Sequence, residues 1–330
     1  MYAARVRFSD GYVSSFEVAE GQTVLEAAMA VDAPLRFDCA SGSCGACIAQ
    51  VTAGETLFEA NGPSPICAAE AAAGLSPTCQ TRLASDAQFD LPYPLLPAPS
   101  APARYTTEAA AVERIADTVF RLSLVRPEGF EFQSGQYVRL RPPGCRSARA
   151  YSISSAPADG SQLEFMIRIV PDGMVSGWLT GGAAPGDRVT LQGPLGSFAL
   201  DRAAPRHVFV VGGTGLAPAM SMLRDLKPEE GEALVCFGAN TGVDIFHLDE
   251  LWAFAAEGRH QIRFAVGAGD LPPRCVAGTA VSLLTPDDVR PGSTYYLCGP
   301  PGMVEAARSL LAAQGAPAQA IRSERYLPSA

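Results

Sequence analysis

Four of the nine cysteines in this 330-residue chain are spaced for metal chemistry. Cys39, Cys44 and Cys47 form C-x4-C-x2-C, and Cys79 follows further on, a spacing that suits a [2Fe–2S] cluster. Four thiolates must converge on two irons, so three come from one tight loop and the last returns from elsewhere. Gly42 and Gly45 let that loop take positive φ and bring N–H groups toward the sulfurs. A zinc site would want paired C-x2-C units or histidines; here there is one such pair and no nearby His. Cys67 competes for the fourth position. Cys79, with Gln80 behind it, ends an apolar approach at a longer interval and is preferred. Cys145, Cys236 and Cys275 are scattered and read as structural or incidental.

Three further segments could hold a flat cofactor and a dinucleotide. Arg149-Ala-Tyr-Ser152 alternates a cation, an aromatic ring and a hydroxyl along an apparent strand, which could line a polar-edged ring and its phosphate. Gly173-Met-Val-Ser176, after Arg168, places a turn and a hydroxyl at an expected helix start, a second phosphate candidate. Val208 to Pro218 reads strand, glycine turn, helix start, with Gly212, Gly213 and Gly215 allowing close approach of a pyrophosphate. Tyr295 to Met303 repeats strand, Gly/Pro turn and helix, with Cys298 at the strand end as either buried packing or a nicotinamide neighbour. After the strand ending near Phe237, residues 238–247 hold Asp244 and no Lys or Arg. A ribose 2′-hydroxyl is served by such a carboxylate or by an amide such as Asn240, whereas a 2′-phosphate wants a cation. NADH is therefore expected over NADPH.

The elements that must position these residues fall into three regions. Residues 1–92 open with alternating stretches around Asp10-Gly11, a hairpin signal, and Thr23-Val-Leu-Glu26 is a capping box for a helix to about Val31. The proline-rich run 91–102 reads as a semi-rigid linker. From 103 to 203 short strands separated by Gly/Pro turns (119–125, 136–140, 163–169, 188–191) predict a small antiparallel β-barrel. From 204 to 330 apolar runs (207–211, 233–237, 262–266, 294–298) alternate with helical patterns (217–226, 246–256, 301–313). That is the rhythm of a doubly wound α/β sheet.

Charge and composition exclude several classes. The net charge of −9 disfavours nucleic acid and acidic membrane surfaces. Acidic residues outnumber basic ones in 1–95, which suits either a basic docking partner or a solvated face. The start of the chain has no apolar signal core and no run is long enough to span a bilayer, so a cytoplasmic monomer is expected. The three histidines, His207, His247 and His260, lie near no cysteine pair and form no facing pattern, which excludes a Rieske or non-haem iron centre in this chain.

Taken in order, Arg149–Ser152, Gly212–Pro218 and Cys298–Met303 resemble the R-x-Y-S, G-G-T-G-x-A-P and C-G-P-x-x-M motifs of the ferredoxin–NADP⁺ reductase superfamily. With the cysteine loop in front, the chain is similar along its whole length to the reductases of bacterial Rieske ring-hydroxylating dioxygenases, of the benzoate and anthranilate type. The resemblance implies a β-grasp-type ferredoxin domain, an FAD barrel and an NAD domain. It implies that Arg149, Tyr151 and Ser152 contact flavin and that Gly173, Val175 and Ser176 hold its pyrophosphate. Gly213, Thr214 and Gly215 would hold the NAD pyrophosphate, with Cys298, Gly299, Pro300 and Met303 beside the nicotinamide. Glu324-Arg-Tyr326 is similar to the family's terminal acidic–aromatic element, with Tyr where the benzoate type has Phe. Electrons would pass from NADH through FAD and the [2Fe–2S] cluster to a terminal Rieske oxygenase docked near the ferredoxin domain. Reductases of di-iron monooxygenases share this domain order, a dehydratase-linked reductase is a rarer relative, and a redox sensor without turnover is the reading from another class.

Overall fold

The Asp10-Gly11 pair turns the chain back on itself, with Gly11 at φ 90°, a value that side chains resist. It joins β1 (Tyr2–Arg7) to β2 (Val13–Val18) as an antiparallel hairpin. Helix α1 (Val24–Ala30) follows with the expected box: Thr23 Oγ1 accepts from the Glu26 N–H at 3.2 Å, and Glu26 accepts from the Thr23 N–H at 2.9 Å. Such caps stabilise a helix by ~1 kcal/mol. Then come β3 (Ile48–Ala53), β4 (Thr56–Leu57), α2 (Ala68–Ala72), β5 (Leu75–Pro77), β6 (Arg82–Leu83) and β7 (Ala87–Asp90). The main sheet runs β2-β1-β7-β3-β5, and α1 lays Val24, Leu25, Ala27 and Ala28 on a core with Val6, Phe16 and Phe89, a β-grasp arrangement.

The computed structural model describes residues 1–37, 42, 45–58, 65–66, 68–93, 95, 103–145 and 148–326. The chain divides into two compact units, Met1–Pro102 and Ala103–Ala330. Cys39, Cys44 and Cys67 lie outside the described residues, as does most of the proline-rich linker.

The second unit begins with a strand that the sequence did not signal, β8 (Arg104–Ala116), followed by β9 (Val119–Val125), β10 (Tyr137–Arg141), β11 (Arg149–Ser152), β12 (Gln162–Arg168), α3 (Met174–Thr180) and β13 (Arg188–Leu195). The strands order β11-β10-β13-β8-β9-β12, and an Ile153–Phe165 bridge joins the two ends into the expected barrel. Leu122, Leu124, Val138, Leu140, Phe165 and Leu191 fill its interior.

The nucleotide-type sheet comprises β14 (Arg206–Gly212), β15 (Glu232–Thr241), β16 (Gln261–Ala268), β17 (Cys275–Ala277), β18 (Ser293–Gly299) and β19 (Ile321–Arg325). All pairs are parallel, in the order β17-β16-β15-β14-β18-β19. The helices are α4 (Leu216–Asp225), α5 (Leu248–Ala256) and α6 (Pro301–Ala313). Both faces are covered: Phe209 and Val211 pack on the side of α4 and α5, while Val208 and Val210 face α6. That two-sided burial explains the unbroken apolar runs.

Candidate active site and cofactor sites

Parallel pairing of β18 and β19 sets Cys298 opposite Glu324, so thiol and carboxylate share one face of the sheet. The Tyr326 N–H donates to the Gly299 carbonyl at 2.9 Å, which extends the ladder one step and puts the phenol on the same face as Glu324. Ser152, at the end of β11, meets them from the barrel. Tyr326 donates to Ser152 Oγ at 2.7 Å, and Ser152 donates to Glu324 Oε2 at 3.3 Å. The Cys298 thiol points at the same carboxylate oxygen at 4.0 Å. Ser152, Cys298 and Glu324 are all buried. Burial pushes the Cys298 thiol well up, with the Glu324 carboxylate adding to it, so the group is a neutral donor and not a thiolate. Burial raises the Tyr326 phenol in the same way. The four side chains thus form a neutral donor chain ending on one carboxylate, suited to holding or moving a proton and not to nucleophilic attack.

The barrel is bolted to the sheet close by. Arg224 of α4 donates to Glu164 at 2.8 Å and to the Ser154 carbonyl at 2.9 Å on the barrel side. It also clasps Glu250 of α5 through two bonds of 2.7 and 2.9 Å. His247 Nδ1 sits 2.9 Å from Glu250, and Ser221 donates to the Ser155 carbonyl at 2.7 Å. Sequence reasoning left Arg224, Glu164 and Glu250 unremarked, because charges 60 and 26 positions apart reveal a cluster only once folded. Together they tie α4 and α5 to the barrel two residues past Ser152.

The nucleotide turn has the required openness. Gly213 takes φ 54°, and among the described residues the only atom within 4 Å of its missing Cβ is Arg168 Nη1 at 4.0 Å. Arg168 is exposed at the end of β12 and has no partner among the described residues. Gly215 is pressed onto β18, where a Cβ would sit 2.2 Å from the Cys298 carbonyl. Met303 wedges between the two turns, 2.8 Å from where Cβ atoms at Gly212 and Gly299 would lie. Thr214 is half-buried in that turn, and Pro300 precedes the first residue of α6. The two oxygens of Asp244 accept from Thr118 of the barrel at 2.8 Å and Thr241 at 2.7 Å.

On the flavin side Tyr151 opposes Val138, and burial pushes its phenol to about 12 against the lowering effect of Arg149. Gly173 opens α3, and a side chain there would overlap Val170 and Ser176. Ser176 Oγ closes the turn by accepting from the Val170 N–H at 3.0 Å. Val175 packs its side chain into the barrel core.

In the first unit Cys47 and Cys79 bring their sulfurs to 3.3 Å, well beyond the ~2.05 Å of a disulfide. Two thiols aimed at one point fit a shared iron. The N-terminus of α1 holds the Cys79 segment, since the Val24 and Leu25 N–H groups donate to the Thr81 and Thr78 carbonyls at 2.8 and 3.0 Å. Gly42 takes φ 81° and lies so near Gln80 that a Cβ would meet its amide at 2.2 Å. Gly42 and Gln80 are therefore in direct apposition.

Family comparisons agree with this geometry. Residues 8–84 match the 2Fe-2S iron-sulfur cluster binding domain, 111–200 the oxidoreductase FAD-binding domain, and 209–309 the oxidoreductase NAD-binding domain. The toluate 1,2-dioxygenase electron transfer component of Pseudomonas putida is 33% identical over 98% of both chains. The chain belongs to this family of electron-transfer reductases. The 2-halobenzoate 1,2-dioxygenase electron transfer component of Burkholderia cepacia is 32% identical to the reductase, over 95% of this chain and 94% of its own. Among solved structures, a cytochrome P450 reductase from Amycolatopsis superposes over the whole of both chains at a TM-score of 0.70 with 28% identity. The reductase is thus an oxidoreductase with FAD, NAD and [2Fe–2S] domains. No helix among its described residues is long and apolar enough to cross a membrane.

Proposed function

We propose that the protein is the NADH-dependent reductase of a multicomponent aromatic dioxygenase, delivering electrons to a terminal Rieske oxygenase. The observation that carries this reading is the meeting of Ser152 from the barrel with Cys298, Glu324 and Tyr326 from the nucleotide sheet. FAD held by these residues would supply the conversion between a two-electron hydride donor and a one-electron iron–sulfur acceptor. Everything else falls to the chain's own residues. Arg149, Tyr151 and Ser152, with the Gly173–Ser176 turn, hold the flavin. Gly213, Thr214 and Gly215 cradle the coenzyme pyrophosphate, with Arg168 as a nearby cation, and Cys298, Gly299, Pro300 and Met303 shape the nicotinamide end. Ser152 and Glu324 hold a proton at the Ser152 hydroxyl, and the buried neutral thiol and phenol keep water from that spot.

Cys39, Cys44, Cys47 and Cys79 are the proposed cluster ligands, supported by the convergence of the last two. The natural division is 1–92, 103–203 and 204–330. The acidic bias of the first segment suits an oxygenase docking near it. A second reading, the reductase of a monooxygenase, is favoured by one relative, the propane 2-monooxygenase reductase component of Mycolicibacterium smegmatis, 33% identical over 91% of both chains.

Anaerobic addition of NADH tests the core of the proposal: flavin and cluster absorbance should both bleach. If neither band bleaches, the proposal fails. Turnover with a purified toluate-type oxygenase set against a propane-type hydroxylase would separate the two partners.

A further inference from the structure

Helix α4 is fastened at both ends. It starts from Gly215, which is pressed onto the Cys298 carbonyl, so its first turn bears on the strand that carries the thiol. Its second half faces the barrel. Ser221 is 0% exposed, and its hydroxyl donates to the Ser155 carbonyl at 2.7 Å. A serine inside a helix commonly returns its proton to a carbonyl one turn back; this one crosses to another element instead. Arg224, three residues on and so on the same face of the helix, donates to the Ser154 carbonyl at 2.9 Å and to Glu164 at 2.8 Å. Asp225 accepts from Ser134 of the barrel at 2.9 Å.

The two carbonyls belong to the segment that carries the flavin-side hydroxyl. Ser154 and Ser155 are buried two and three positions past Ser152, and Ile153 between them is bridged to Phe165. The Ser154 N–H donates to the Glu164 carbonyl at 2.8 Å, so the segment is held from the barrel side as well. A closed ring of contacts results. It runs from Cys298 to Gly215, along α4 to Ser155 and Ser154, back to Ser152, and across to Glu324 beside Cys298. The ten residues of α4 form its rigid side, ~15 Å long. The bonds from Arg224 to Glu250 point instead to α5 and lie outside this ring.

We propose that Ser221 and Arg224 are positioning residues for hydride transfer, setting the Ser152 hydroxyl against Glu324 and Cys298 through the Ser154 and Ser155 carbonyls. This rests on the NADH-to-FAD reading above. The test follows flavin reduction by NADH in the anaerobic full-length holoenzyme, by stopped flow, for wild type, Ser221→Ala, Arg224→Lys and Arg224→Gln. Ser221→Ala should slow the maximal rate about tenfold and Arg224→Gln up to about a hundredfold, the cost of a ~1 Å misplacement. Arg224→Lys should fall between wild type and Arg224→Gln, because an ammonium keeps the charge without the fork. Kd for NADH should stay within about twofold, since neither side chain belongs to the glycine turn. With NADH deuterated at the transferred hydrogen, the isotope effect should be at least as large as in wild type, because the hydride step itself is slowed. A smaller isotope effect overturns the proposal.

Urea unfolding of the holoenzyme gives a readout without turnover. Ser152→Ala should destabilise the Arg224→Gln protein less than wild type, by at least about threefold in the unfolding constant, because the Ser152–Glu324 bond is already loosened. A smaller difference means that Ser152 does not feel Arg224, and the proposal falls. Maximal rates within about twofold of wild type in both Ser221→Ala and Arg224→Gln overturn it alone. A wild type whose flavin is not reduced by NADH removes the NADH reading and this proposal together.

Discussion

Tyr326 donates a hydrogen bond from its phenol to the Ser152 hydroxyl at 2.7 Å, across 174 positions of sequence. The bond joins the last strand of the sheet to the barrel and occupies the hydroxyl that also faces Glu324. A nicotinamide approaching Cys298 must compete with it. Removing the phenol oxygen while keeping the ring should therefore ease coenzyme entry. For Tyr326→Phe, KM for NADH is expected to fall about two- to tenfold, the worth of one net hydrogen bond, with FAD content unchanged. Steady-state ferricyanide kinetics would read this; a rise in KM would contradict it.

Ser152 is the link between Tyr326 and Glu324, so its loss cuts the donor chain without emptying the coenzyme site. Ser152→Ala should lower kcat for NADH oxidation by about a hundredfold, the lower end of proton-handling effects, with little change in KM. Stopped-flow absorbance at the flavin band would separate this from slow product release.

Arg168 stands beside the nucleotide turn with no partner among the described residues. Arg168→Ala is expected to raise KM for NADH about tenfold while kcat holds, and Arg168→Lys should recover part of the loss because the charge remains. Unchanged KM in the alanine variant would remove Arg168 from the site.

For the cluster, Cys79→Ser should abolish the iron–sulfur absorbance and leave NADH–ferricyanide activity in place. Cys67→Ser should retain both. The reverse pattern would transfer the fourth ligand to Cys67.

Glu250 carries the acid response of the joint between barrel and sheet. Bonds from His247 and Arg224 outweigh its partial burial and hold its pKa at about 2, below the ordinary 4.5. A depressed carboxylate contributes stability that is complete above pH 4.5 and is lost as pH falls toward 2. Glu250→Gln should be less stable than wild type at neutral pH by about 1–3 kcal/mol, and the gap should close between those two values. Urea unfolding across that range measures it; a gap independent of pH would mean that the pairing is not electrostatic.

Much of this architecture could be read in advance because the signals were local. Thr23 and Glu26 announce α1 three positions apart, and Val119–Val125 announces its strand by composition. The apolar runs of β14, β15, β16 and β18 come from burial on both faces. What escaped was relational. β8 was not singled out among the strands of its region, because RYTTEAAAVERIA carries few apolar residues in regular alternation. Nothing near Asp244 in sequence foretold its bond from Thr118, 126 positions away. The Cys47–Cys79 approach was legible as a spacing, whereas the grip of α1 on Thr78 and Thr81 was not.

The pairing of Cys298 with Glu324 turns the segment between α6 and β19 into a measuring length. Side chains alternate faces along a strand, so a one-residue slip of β19 would exchange Glu324 for Ser323 or Arg325 at the same spot. The sheet could keep its ladder of hydrogen bonds, but Ile321 would leave its core packing and a hydroxyl or a cation would stand where the carboxylate belongs. The length of residues 314–320, and not only the positive φ of Gly315 within them, therefore sets which side chain meets Cys298.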